Sequence, residues 1–94
     1  MSMLDERTRL RQSERTASRV VDGRAVVVVI DTQQLHTLSE VGSFVWERAD
    51  GRSVGEIVDA IVGEFDVDRA QALADLERFT VDLSRLGALR VEPA

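Results

Sequence analysis

His36 is the one histidine in the chain, and no cysteine, lysine or tyrosine accompanies it. Disulfides, iron–sulfur ligation, thiolate zinc sites and thiol catalysis are excluded outright. A lone histidine on a strand, with no nucleophile or paired carboxylates at an evident cleft, reads as a surface residue rather than a general base. Glu56 and Asp59 stand at i,i+3 spacing and share a helix face, but no third ligand lies near them in sequence. They read as a solvated face. Asp66-Val67-Asp68 lacks the glycine and distal glutamate of a calcium loop, and no glycine-rich phosphate loop occurs. Trp46, the only tryptophan, follows Val45 on a helical pattern and reads as core or core-edge. The sequence predicts no enzyme, no catalytic or metal-binding residue and no cofactor.

Ninety-four residues, 44% of them hydrophobic, make one domain. A chain of this size buries roughly 60–70% of its unfolded surface, enough for a core without staples. The N-terminus has no apolar run behind its charges, so it is not a signal peptide. Ala25 to Ile30, the longest apolar run, is too short to span a bilayer. The expectation is a cytoplasmic protein with no membrane contact. Residues 1–24 carry six arginines against four acids, a net of +2; residues 39–94 carry six against twelve, a net of −6. With Asp31 the total is −5.

The elements follow from spacing. Residues 1–15 have no sustained period and are expected to form a flexible arm, with the domain proper at 16–92. Asp22-Gly23 between Arg19-Val20-Val21 and Arg24 to Ile30 is a hairpin signal. Val26 to Ile30 is apolar at every position, which predicts a central strand buried on both faces. Asp31 to Gln34 turns the chain into a short third strand, Leu35 to Leu38. Ser39 then caps a first helix bearing Val41, Phe44 and Val45, which Asp50-Gly51-Arg52 ends. Ser53 and Glu56 form a capping box for a second helix with Val54, Ile57, Val58, Ile61, Val62 and Phe65 on its apolar stripe. Asp68, with Gln71, caps a third helix whose apolar stripe is Leu73, Leu76, Phe79, Leu83 and Leu86. Gly87 ends it, and Leu89 to Val91 is an extended tail. The fold class is α+β: a small winged helix-turn-helix domain, with a three-stranded antiparallel meander followed by three helices.

Two functions fit that architecture. A DNA-binding regulator needs a basic recognition helix, but the third helix sets Asp75, Glu77 and Asp82 against Arg69, Arg78 and Arg85. The second helix carries Glu56, Asp59 and Glu64 with no basic residue. No nucleic-acid partner is expected, although a winged-helix regulator or protein-interaction module is the alternative reading. The other function is peptide capture by strand addition to Leu35, His36, Thr37 and Leu38, with the third helix as opposite wall. Leu73, Leu76 and Thr80 would form pockets, Arg69 or Arg78 would meet an acidic peptide residue, and Glu77 and Thr80 would stand on the exposed wall. The state is a monomer, or a homodimer if the arm exchanges strands.

Val21 to Val28, His36 to Glu47, Asp50 to Val58, and Ala74 to Phe79 with Leu83 to Leu89 resemble the PqqD-like family, over about residues 17–91. Members are precursor-peptide recognition elements for ribosomally made, modified peptides. The resemblance implies that the leader of a precursor peptide adds as a strand to the third strand against the third helix. The domain would then present the precursor to a modifying enzyme: a radical-SAM enzyme, a leader peptidase or a cyclase. The family's founding pathway makes pyrroloquinoline quinone. Where the family commonly has Asn after the strand-ending leucine, this chain has Ser39, which also caps helices.

Overall fold

A computed structural model describes residues 4–93. The elements are β1 (Arg9–Gln12), β2 (Thr16–Val21), β3 (Arg24–Val29), β4 (Gln34–Thr37), α1 (Glu40–Arg48), β5 (Asp50–Ser53), α2 (Val54–Glu64), α3 (Arg69–Arg85) and β6 (Leu89–Glu92). The expected meander is present as an antiparallel sheet in the order β2-β3-β4. Its first turn is built as the sequence predicts: Asp22 and Gly23 take φ of +53° and +78°, the left-handed pair that matches strand twist in a two-residue hairpin.

A second antiparallel sheet, in the order β5-β1-β6, was not anticipated. Residues 4–15, expected as part of a flexible arm, supply its central strand. Leu10 is fully buried there, and Leu4 and Thr8 are buried beside it. The physical reason lies in hydrogen bonding as much as in apolar content. The first amides of α2 need acceptors, and Thr8 and Glu6 supply them through Val54 N to Thr8 O (2.7 Å) and Gly55 N to Glu6 O (2.9 Å). Gly55 permits this approach, since a Cβ there would lie 3.3 Å from the Glu6 carbonyl oxygen. Asp50-Gly51-Arg52, expected to end the first helix, is also strand β5, and the expected tail is strand β6; both pair with β1. Only residues 1–3 of the expected arm lie outside the described residues.

The caps mostly match expectation. Ser39 Oγ accepts from Gly42 N, and the Ser53–Glu56 box is complete. At α3 only half the box forms: Asp68 accepts from Gln71 N, while the Gln71 side chain turns to Asp75. Gly87 takes φ of +80°, and Ala88 N closes on Leu83 O. The core joins Ala25, Val27 and Val29 of β3 with Val45 and Trp46 of α1, Ile57 and Ile61 of α2, and Leu76 and Leu83 of α3. Trp46 is core, with its indole N–H donating to Ser18 Oγ at 3.0 Å. Burial on β3 alternates, however. Val26 and Val28 are only half-buried and Ile30 is exposed, so the strand is central but not covered on both faces.

Candidate functional site

The hydrogen-bond phase of β4 identifies which of its backbone groups are free. In an antiparallel ladder, residues alternate between facing one neighbour and facing the other. Leu38 N donates to Ala25 O, and the β3–β4 register makes His36 opposite Val27 and Gln34 opposite Val29 the other inward-bonded pairs. Leu35 and Thr37 therefore turn their N–H and C=O groups away from β3, to an edge with no neighbour in the sheet order. The same logic at β2 starts from Ile30 N donating to Arg15 O. It leaves Thr16, Ser18 and Val20 facing the sheet's other free edge.

Beyond the end of β4 lies an open cleft of about 320 Å³ between the start of α1 and the middle of α3. Val41, Gly42, Val45 and Phe79 give it apolar walls, and Asp75, Arg78 and Asp82 stand around it. Gly42 keeps it open: a Cβ there would lie 3.5 Å from the Phe79 ring and 3.2 Å from Ser39 Oγ. Ser43 locks the corner from beneath. Its hydroxyl accepts from Ala25 N at 2.7 Å, replacing the ladder bond that the chain's departure into α1 removes. The Arg24 guanidinium donates from Nε to Leu38 O at 3.0 Å, fixing the same corner from outside.

Of the β4 residues singled out in the sequence, Leu35 and Thr37 are exposed, His36 is half-buried on the inner face, and Leu38 is buried core. His36 Nε2 is buried with no hydrogen-bond partner among the described residues. The α3 stripe keeps its predicted phase, with Leu76 and Leu83 buried and Leu73, Phe79 and Leu86 packed half-buried against the core. Its buried line is Ala72, Leu76, Thr80 and Leu83. Leu76 is fully buried, and Thr80 is nearly so with its hydroxyl donating to Leu76 O, and neither lines the cleft beyond β4. Leu73 is half-buried against the core. Arg69 is engaged by Glu6 and Asp59, which tie the N-terminal segment to α2 and α3. These two hydrogen bonds raise its pKa, the one it donates to Asp59 more than the one it donates to Glu6. Glu77 faces a different groove, with Leu4, Thr80, Val81 and Val91. Phe79, expected as core, packs half-buried against it and also lines the cleft with Asp75, Arg78 and Asp82. Their i, i+3, i+4, i+7 spacing is the available signal.

Fold and site together define a small α+β domain with an open strand edge running into an apolar cleft. The model of the family described as Coenzyme PQQ synthesis protein D (PqqD) matches residues 24–89. The chain belongs to the PqqD family. Among solved structures, TbiB1 in complex with the TbiA(beta) leader peptide superposes with a TM-score of 0.80 at 32% identity. That match covers 85% of this chain and 94% of the other. Lasso peptide synthetase B1 complexed with the leader peptide gives a TM-score of 0.73 at 20% identity, covering 89% and 98%, and so shows a shared fold. No curated protein matches the sequence. Among the described residues, no helix is long and apolar enough to cross a membrane, and no group of three or more potential metal ligands occurs.

Proposed function

We propose that this protein is a non-catalytic peptide chaperone: it binds the leader of a ribosomally made precursor peptide and presents that precursor to a modifying enzyme. The observation that carries the reading is the free edge of β4, with the N–H and C=O groups of Leu35 and Thr37 unpaired, running into the cleft at Gly42 and Phe79. A leader added antiparallel to β4 makes paired bonds at both residues. Its N-terminal part then lies beside Ser39 and the cleft, where an apolar side chain rests between Val41, Val45 and Phe79. Its C-terminal part leaves past Gln34, toward the β3–β4 turn. Main-chain bonds supply affinity and the cleft supplies specificity, with Arg78 placed to meet a leader carboxylate. This assigns recognition to Leu35, Thr37, Phe79 and Arg78, and releases His36, Leu38, Arg69, Leu73, Leu76, Glu77 and Thr80. The leader complexes of TbiB1 and of lasso peptide synthetase B1, on the same fold, support it.

The test is calorimetric titration with the leader half of a precursor encoded beside this gene. One-to-one binding at micromolar affinity or tighter is expected. No heat and no amide perturbation up to high micromolar peptide overturns the reading.

A further inference from the structure

Serine inside a helix is a costly choice where alanine would fit, because its hydroxyl competes for backbone groups and, once buried, needs a partner. Ser43 is buried within α1, and its side-chain partners lie on the strand side rather than in its own helix. In an uninterrupted antiparallel ladder, Ala25 and Leu38 would follow the Val26–Thr37 pair and exchange two bonds, each N–H going to the other's C=O. One of the two is present, from Leu38 N to Ala25 O at 2.9 Å. Ala25 N donates instead to Ser43 Oγ at 2.7 Å, and that hydroxyl turns its hydrogen toward Leu38 O at 3.5 Å. Arg24 gives the same carbonyl a second donor, its Nε at 3.0 Å. The Ser43 hydroxyl therefore stands inside the ladder, and the pair that follows β4 is held open on one side.

We propose that Ser43 and Arg24 are positioning residues of the leader site: by holding this pair open, they place Leu38 where one leader strand pairs with β4 and seats a side chain in the cleft at once. The inference rests on the leader-binding reading above. Residues opposite each other in a ladder carry their side chains on the same face. Leader residues opposite Leu35 and Thr37 therefore project away from the core, as those exposed side chains do. The leader residue opposite Leu38 projects the other way, since Leu38 is part of the core. It meets the mouth of the cleft, which Ser39 lines. Gly42, next to Ser43, touches the same place: a Cβ on it would lie 3.5 Å from Leu38 Cβ. Adjacent residues of α1 thus keep the cleft open and set the strand end that leads into it. Two contacts joined by a rigid corner bind as one site, and a corner set at the wrong angle costs the second contact its effective concentration. Without the hydroxyl, Ala25 N and Leu38 O close directly. The backbone then keeps its bonds, while Leu38 moves toward β3 and carries the leader's anchoring side chain away from Phe79.

Calorimetric titration of wild type, Ser43→Ala, Arg24→Ala and Arg24→Lys with the leader half of the precursor encoded beside this gene tests this. The leader's anchor is the position at which alanine weakens binding to the wild type but not to Phe79→Ala. Ser43→Ala is expected to bind the parent leader about tenfold more weakly, with thermal stability nearly unchanged, and to bind the anchor-to-alanine leader as well as the parent. That loss of sensitivity separates positioning from a merely structural role, for which the two costs would add. Arg24 is exposed, so its variants keep the fold. Arg24→Ala should repeat the pattern in weaker form, and Arg24→Lys, which keeps a donor near Leu38 O, should recover part of the affinity. Undiminished binding by Ser43→Ala overturns the proposal, as do additive costs in the cycle or a leader with no such anchor. If Ser43→Ala does not fold, additive costs with Arg24→Ala overturn it in the same way. Failure of the wild-type protein to bind leader at all would instead remove the leader-binding reading.

Discussion

In the proposed leader site Thr37 would act through its backbone and Phe79 through its side chain. Thr37→Pro removes an N–H that faces outward and places a ring on the pairing edge, without touching a ladder bond to β3. Leader affinity should fall by at least about tenfold, roughly 1.4 kcal/mol, with thermal stability nearly unchanged. A large drop in melting temperature would mean that the Thr37 amide bonds inward. Phe79 is half-buried and lines the cleft, so Phe79→Ala should cost about 1–3 kcal/mol of stability, short of the about 3–5 kcal/mol of a fully buried phenylalanine. It should also weaken leader binding, measured by titration alongside urea unfolding. Glu56 offers a pH test. Hydrogen bonds from the Ser53 amide first, and from the Ser53 hydroxyl second, hold its carboxyl below the ordinary glutamate range. A depressed folded-state pKa gives stability that is complete above the unfolded value and lost as pH falls through the folded one. Acid titration of the melting temperature should therefore show a loss below the ordinary glutamate range that Glu56→Gln diminishes.

At the scale of elements, legibility in the sequence followed the range of the interactions. The Asp22-Gly23 turn, the Ser39 and Ser53 caps and the Gly87 stop are local devices, and each is where its residues say it is. The β5-β1-β6 sheet is not local: β1 meets β6 across about eighty residues, Leu10 opposite Val91. Each of its strands has four residues, too few for a clear period, and Asp50-Gly51-Arg52 reads as a helix stop rather than a strand. Leu10→Ala distinguishes a flexible arm from this strand. A fully buried leucine at the centre of a sheet should cost about 2–5 kcal/mol, read by urea unfolding, whereas an arm would lose nothing measurable. The candidate site was half legible. The β4 strand is legible within one residue, but apolar spacing does not show which α3 residues border the cleft, because Phe79 both packs against the core and lines it. Phe79 reaches α1 beside Gly42, which makes room for its ring.

For the whole molecule, two sheets divide the labour. The smaller one binds the N-terminal segment to the helices and leaves the larger sheet standing as a wing with two free edges and an uncovered face. Shape alone does not choose between the edges, since β2 is the longer. The cleft chooses: α1 leaves from the end of β4, so only that edge runs into an apolar recess, and a leader on β4 has both backbone partners and a side-chain pocket. Central to the account is therefore that the leader pairs with β4 and not with β2. Residue-resolved amide exchange, with and without a leader peptide at saturating concentration, measures this directly. Strong slowing is expected at Leu35 and Thr37, with Ser18 and Val20 exchanging as in the free protein. Slowing at Ser18 and Val20, or at neither edge while the peptide is bound, would contradict it.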